Sequence, residues 1–188
     1  MSTGYQIRDQ PALHYLTIQV ADWIDVFTMQ IYRNIILDSL RYCQKNKGLQ
    51  IFGYVIMPNH IHIIANSPNG ELSNTLRDFK KFTAKNIIAC ISNDNESRKE
   101  WMLNRFEYNA QRHSRNENYQ MWTHENHALV IYSPQFAMEK LEYLHNNPVR
   151  AGFVRKPEDY VYSSASNYAG TESLLEIVKL DKLWKTYF

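Results

Sequence analysis

Two short apolar runs, Leu49 to Met57 and His60 to Ile64, are separated only by Pro58-Asn59 and lie between two long stretches of helical periodicity. Each run is too short for a comfortable helix, and Pro-Asn is turn chemistry, so the pair reads as a β-hairpin. Upstream, between Thr28 and Asn46, Met29, Tyr32, Ile36, Leu40 and Cys43 recur at steps of three and four. That spacing predicts one helix, ended by Lys45, Lys47 and Gly48. Downstream, Leu72, Leu76, Phe79, Ile87 and Cys90 outline a second helix of about five turns. His14 to Val20, rich in β-branched and aromatic residues, supplies a strand before the first helix.

Beyond the second helix the pattern predicts a third from Ser97 to about His113, a polar loop from Ser114 to Gln120, and a strand from His127 to Tyr132. Ser133-Pro134 is a good N-cap and first helical residue, and Pro148 ends the helix that follows at about Asn147. The order β-α-β-β-α, a helical stretch, then β-α predicts an α+β fold: a split, largely antiparallel sheet with helices packed on one face. A chain of 188 residues has room for one domain. We expect a core over about 12–168 and a tail over 169–188.

Hydrophobic residues at 44% and charged residues at 21% exclude a disordered polyelectrolyte. The formal charge is only +2, so a nucleic-acid partner has to be held by local basic patches and not by a global field. Cys43 and Cys90 both fall in amphipathic helices, which suits a reducing, cytoplasmic setting. No run of ~18 apolar residues offers a membrane span, and residues 1–13 lack the charged and apolar regions of an export signal.

Chemistry concentrates in two segments. His60 and His62 stand two positions apart in a strand, so both imidazoles project from one face and can lean onto one metal ion, while Ile61 anchors the opposite face. A His-x-His pair alone is more often a hydrogen-bonded surface pair. On the helix before Pro148, Ala137, Leu141 and Leu144 form the core stripe, whereas Tyr143 and Asn147 share another face one turn apart. The Asn147 amide oxygen is a hard, neutral donor suited to Mg²⁺ or Mn²⁺. Arg77, Lys80, Lys81 and Lys85 form a basic ridge on the second helix, and Arg150 follows the tyrosine helix. Such a ridge is either a solvated face or a track for phosphates. Trp122, His124 and His127 read equally as base-stacking groups or as core and strand-end residues.

Pro58-Asn59-His60-Ile61-His62, followed about eighty residues later by Tyr143-Leu144-His145-Asn146-Asn147-Pro148-Val149-Arg150-Ala151-Gly152-Phe153-Val154, resembles the single-tyrosine HUH transposases. The resemblance is greatest to the REP-associated tyrosine transposase branch of the insertion-sequence transposases. It extends from the first strand to about Tyr168, through Phe79-Lys80-Lys81-Phe82-Thr83, Trp122 to His127 and Tyr160-Val161-Tyr162-Ser163-Ser164.

The resemblance implies a ferredoxin-like fold and a divalent metal, Mg²⁺ or Mn²⁺, held by His60 and His62, with Asn147 in the place of a third ligand. It also implies that Tyr143 is the nucleophile of a DNA transposase that cuts and rejoins single-stranded DNA beside hairpins through a 5′-phosphotyrosine link. No nucleotide cofactor is implied, and no Walker or dinucleotide glycine motif is present. An ordinary tyrosine hydroxyl has a pKa near ~10 and must lose its proton on attack. Asn59, His145 and a metal-bound water are all candidates to help. Insertion-sequence relatives form homodimers, whereas the REP-associated branch can act as a monomer. The alternative is a hairpin-DNA-binding protein of the same fold without cleavage.

Overall fold

The computed structural model describes residues 7–93, 96–112 and 118–180. The predicted hairpin is present: β2 (Gln50–Ile56) and β3 (His60–Asn66) pair antiparallel, with an irregularity between Ile51 and Gly53. β1 (His14–Gln19) pairs antiparallel with the other edge of β3, and β4 (Leu129–Val130) pairs with β1. The sheet order is therefore β2-β3-β1-β4. The connection from β1 through α1 (Gln30–Lys47) to β2 leaves a gap that β3 fills, which is the split βαβ arrangement of a ferredoxin-like fold. Gly48, at φ +66°, takes the left-handed conformation that ends α1 and lets the chain turn directly into β2.

Alternation along the strands sorts the core into two layers. Leu16, Ile18, Ile61 and Ile63 face α1 and α2 (Leu72–Asn93), which bury Ile36, Leu40, Leu76, Phe79 and Ile87 against them. This is the helical layer expected over one face. α3 (Lys99–Gln111) adds Met102 and Phe106 to the same cluster. The opposite face carries Tyr15, Phe52, Val55 and Ile64, and α4 (Pro134–His145) packs on it through Ala137, Leu141 and Leu144, the predicted stripe. Helices therefore lie on both faces. Ser133 caps α4 as expected, its hydroxyl accepting from the Phe136 amide at 3.1 Å. Pro148 does not simply end the helix: α4 stops at His145, and Pro148 sits in the first turn of the short α5 (Asn147–Arg150).

The strand predicted from His127 to Tyr132 shrinks to two residues, and at its start His127 adopts φ +39°, which breaks the extended run. Residues 120–126 nevertheless border β1, with Thr17 N donating to Asn126 O and Thr123 N donating to Gln19 O, both at 2.9 Å. The outer edge of β2 is covered by 162–164: Ile56 N donates to Tyr162 O, and Ser164 N donates to Tyr54 O. After α6 (Ala165–Ala169), Val178 N donates to Ile51 O, so 170–180 also lies against that edge. Most of the predicted 114–120 loop and residues 181–188 of the tail fall outside the described residues. No helix among the described residues is long and apolar enough to cross a membrane.

How closely α4 approaches the sheet depends on Gly53. A Cβ built there would stand 2.7 Å from Leu141 Cδ1, deep in a packed layer. Gly53→Val is expected to push α4 outward and to cost about 1–3 kcal/mol of stability, measured by urea denaturation. An unchanged midpoint would show that α4 is not seated by this contact.

Candidate active site

His60 and His62 lie on the α4 side of β3, opposite Ile61 and Ile63 as strand alternation requires, with ring centroids 4.6 Å apart. The His60 Nδ1–H donates to Asn59 Oδ1 at 2.7 Å. That orientation of the amide is dictated by its other end, because Asn59 Nδ2 donates to Asp25 Oδ1 at 2.7 Å and to Trp23 O at 3.3 Å, both pure acceptors. The proton of a neutral His60 ring is thereby held on Nδ1, and Nε2 keeps its lone pair. Thr17, the register partner of His62 in β1, sets its hydroxyl 2.9 Å from His62 Nδ1. Burial lowers the His60 pKa to about 4. Burial, aided by the neighbouring His60, Arg150 and Lys140, lowers that of His62 to about 3. Both rings are neutral at pH 7, the state a metal ligand requires.

Tyr143 reaches the same place from α4. Its ring centroid is 6.0 Å from that of His62 and 6.3 Å from that of Tyr15, which itself stacks on His62 at 5.3 Å. Two cations flank the phenol. Arg150 Cζ lies 4.1 Å from the Tyr143 ring centroid, and Arg150 also donates to the Tyr143 carbonyl at 2.9 Å. Lys140, one turn before Tyr143, places Nζ 5.9 Å from the same ring. The phenol is 47% exposed, open enough to meet a large substrate. Asn147 opens α5 four residues beyond Tyr143 and is half-buried.

His145, one candidate to accept the tyrosine proton, points elsewhere. Its Nε2 is 2.8 Å from Ser164 Oγ, its ring meets Tyr168, and it is buried on the sheet side of α4. Asn59 is committed to His60 and Asp25. Burial lowers the His145 pKa to about 4 as well. Each of these three imidazoles protonates near its ordinary value of 6.5 in the unfolded chain but resists protonation when folded. The stability they permit is complete above 6.5 and is lost as pH falls towards their folded values. In chelator-treated protein, unfolding free energy is expected to drop by about 1.4 kcal/mol per pH unit for each imidazole within that window. Urea titrations between pH 7 and pH 5 check this, and a flat profile would contradict it.

The α2 cations occupy a second place. Arg77, Lys80, Lys81 and Lys85 all line a groove of about 750 Å³ between α2 and residues 118–126. They are not equivalent. Lys80 is turned inward, donating to Asn126 Oδ1 at 2.8 Å and to His124 O at 3.3 Å, and burial lowers its pKa to about 8. Arg77, Lys81 and Lys85 are exposed, and Arg77 pairs with Asp78 at 3.2 Å. Trp122 is core: its Nε1–H donates to Thr83 Oγ1 at 3.0 Å, and its ring packs near Phe27 and Phe79.

Sequence reasoning singled out neither Tyr15, Thr17 nor Lys140 as site residues. The position of Lys140 three residues before Tyr143 was a legible signal; the roles of Tyr15 and Thr17 follow from strand register alone.

Two imidazoles are a sound but incomplete donor set. Among the described residues no cluster of three His, Cys, Asp or Glu that could hold a metal ion occurs, so an oxygen donor such as the Asn147 amide would have to complete it.

Residues 18–111, half of the chain, match the family model described as "Transposase IS200 like". No curated protein matches the chain. Among solved structures, that of a REP-associated tyrosine transposase bound to a REP hairpin is similar with a TM-score of 0.61 at 16% identity, covering 96% of this chain and 93% of that one. A structure from Deinococcus radiodurans, described as a candidate transposase, gives a TM-score of 0.43 at 14% identity, covering 78% of this chain and 95% of that one. The first likeness is one of fold. The family-model match includes His60 and His62 and stops short of Tyr143.

Proposed function

The chain belongs to the IS200-like transposase family, and on that premise we propose that it cuts and rejoins single-stranded DNA by transesterification at Tyr143, as a member of the REP-associated branch. The observation that carries this reading is the convergence of Tyr143 from α4 and the neutral His60–His62 pair from β3 on one open face, with Lys140 and Arg150 beside the phenol.

Tyr143 Oη attacks a backbone phosphorus. The bond from phosphorus to the 3′-oxygen breaks, a 5′-phosphotyrosine bond forms, and the phenolic proton is balanced by the one gained by the leaving 3′-oxygen. Attack by a 3′-hydroxyl on the phosphotyrosine reverses the step and joins strands without ATP. Arg150 and Lys140 favour the negative charge that gathers on the phenolic oxygen and the phosphate. His145 and Asn59, being engaged elsewhere, do not take the proton. His60 and His62, completed by Asn147, would hold Mg²⁺ or Mn²⁺, which when bound supplies Lewis-acid polarisation of the phosphate oxygens. Asn59 and Asp25 orient His60 for that task, and Thr17 orients His62.

Arg77, Lys81 and Lys85 extend the phosphate-binding surface along the α2 groove, where a duplex stem or the single strand leading from it would lie. Lys80 holds the 124–126 wall of that groove in place. This chain contributes both halves of the site, so the reading needs no second copy.

Incubation with labelled hairpin-bearing single-stranded DNA and Mg²⁺ or Mn²⁺ tests the reading. A denaturation-resistant protein–DNA adduct is expected, together with a fragment ending in a free 3′-hydroxyl. A gel shift with uncut DNA would instead support a binding protein of the same fold, and cleavage without an adduct would support attack by water.

A further inference from the structure

We infer that Trp23 is a stacking platform for an unpaired nucleobase immediately flanking the phosphate that Tyr143 attacks. Trp23 is 56% exposed, although tryptophan is among the side chains most heavily buried on average. It stands at the rim of the site, its ring centroid 5.6 Å from that of His60.

The backbone that presents it is strained. Asp22 and Trp23 both adopt φ +55°, a conformation that bulky L residues rarely take. Such strain persists only where surrounding structure imposes it. Here α3 reaches across to hold Asp22, whose Oδ2 accepts from Arg105 at 2.5 Å and Asn109 at 2.8 Å. From the other side Asn59 Nδ2 donates to the Trp23 carbonyl, and the flanking chain is fixed by Ala21 N donating to Met121 O and Phe27 N donating to Pro58 O. The fold thus fixes an indole in an exposed position and ties it, through Asn59, to the imidazole beside the reacting phosphate.

An aromatic plane held open beside a phosphate site suits single-stranded nucleic acid, because every base has a face to stack and each is attached within one nucleotide of its phosphate. A duplex would keep that face covered by its own neighbours. The platform therefore favours DNA unpaired at the cleavage point and leaves the paired stem to the α2 groove. This inference rests on the proposed single-strand chemistry and extends it to a base-contacting residue on the far side of His60 from Tyr143.

Binding is measured with the hairpin-bearing DNA of the adduct assay, carrying one abasic site walked along its unpaired arm, in a Tyr143→Phe background that prevents cleavage. For protein retaining Trp23, one abasic position next to the scissile phosphate is expected to weaken binding roughly tenfold. In Trp23→Ala the intact DNA should lose a similar factor and the same abasic site should then change little, whereas Trp23→Phe should recover most of the affinity. Equal sensitivity to every abasic site with and without the indole would overturn the inference, as would independent, multiplicative losses. Should the parent protein form no adduct while a single abasic position on the unpaired arm still couples to the indole, the cleavage reading would be removed and Trp23 would stand as a base-stacking platform alone.

Discussion

Tyr143→Phe is expected to abolish the protein–DNA adduct, with cleavage falling at least about 1,000-fold, while DNA binding and folding stay close to those of the parent protein. The expectation follows from geometry. The phenol is half-exposed at the end of α4, and its ring contacts with Tyr15, His62 and Arg150 do not need the hydroxyl. Removing one exposed oxygen should move stability by no more than about 0.5 kcal/mol. On the proposed mechanism the bond-forming atom is lost, so the covalent intermediate cannot form. Denaturing gels report the adduct, and fluorescence anisotropy reports binding. Persistent cleavage in the Phe variant would show that water is the nucleophile and that Tyr143 serves only to line the site.

His60→Ala should separate chemistry from binding in a different way. If the proposed donor set holds the metal, losing one of its two imidazoles would leave the remaining ring and the Asn147 amide too weak to retain a hard divalent ion, and Lewis-acid assistance is worth several kcal/mol. Cleavage is expected to fall at least about 100-fold, because each 1.36 kcal/mol is a tenfold change in rate. Binding to DNA measured without added metal should change less than about threefold, since the His60 ring is neutral and contributes no charge to phosphate attraction. Mn²⁺ binding followed by electron paramagnetic resonance gives a second readout: the Ala variant should lose the bound signal. Asn59→Ala, which frees the ring without removing it, should cost about 10–100-fold in metal affinity. Equal loss of cleavage and binding in His60→Ala would argue that the ring is a DNA contact and not a ligand.

The electrostatics of the site explain why these two substitutions are informative. Burial holds both imidazoles neutral, and the two nearby cations reinforce this for His62. An unprotonated pair repels neither a metal ion nor Lys140 and Arg150, so four groups that would conflict if all were charged share one small face. The cost of that arrangement falls on the acid side, where protonation favours the unfolded chain.

Local periodicity and turn residues were sufficient to place β1, the β2–β3 hairpin, α1, α2, α3 and α4, because each rests on contacts within a few residues: steps of three and four on the helices, Pro58-Asn59 at the turn, Ser133-Pro134 at the start of α4. The spacing of His60 and His62 likewise put both rings on one face before any fold was known, since strand alternation needs no tertiary partner. Tertiary structure decided the rest. Strand order set Thr17 against His62 through a register between strands more than forty residues apart, and the packing of α4 on the sheet brought Tyr143 over Tyr15. Burial of Ala137, Leu141 and Leu144 against Tyr15, Phe52, Val55 and Ile64 put α4 on the histidine face and not with α1 and α2, with Leu141 close over Gly53. Long-range packing also turned His145 and Lys80 inward, shortened β4 at His127 and held Trp23 outward in a conformation that its own side chain disfavours. Which residues form an element is a matter of neighbours along the chain. Which face an element covers, and what it meets there, is settled only when distant segments compete to bury the same surface.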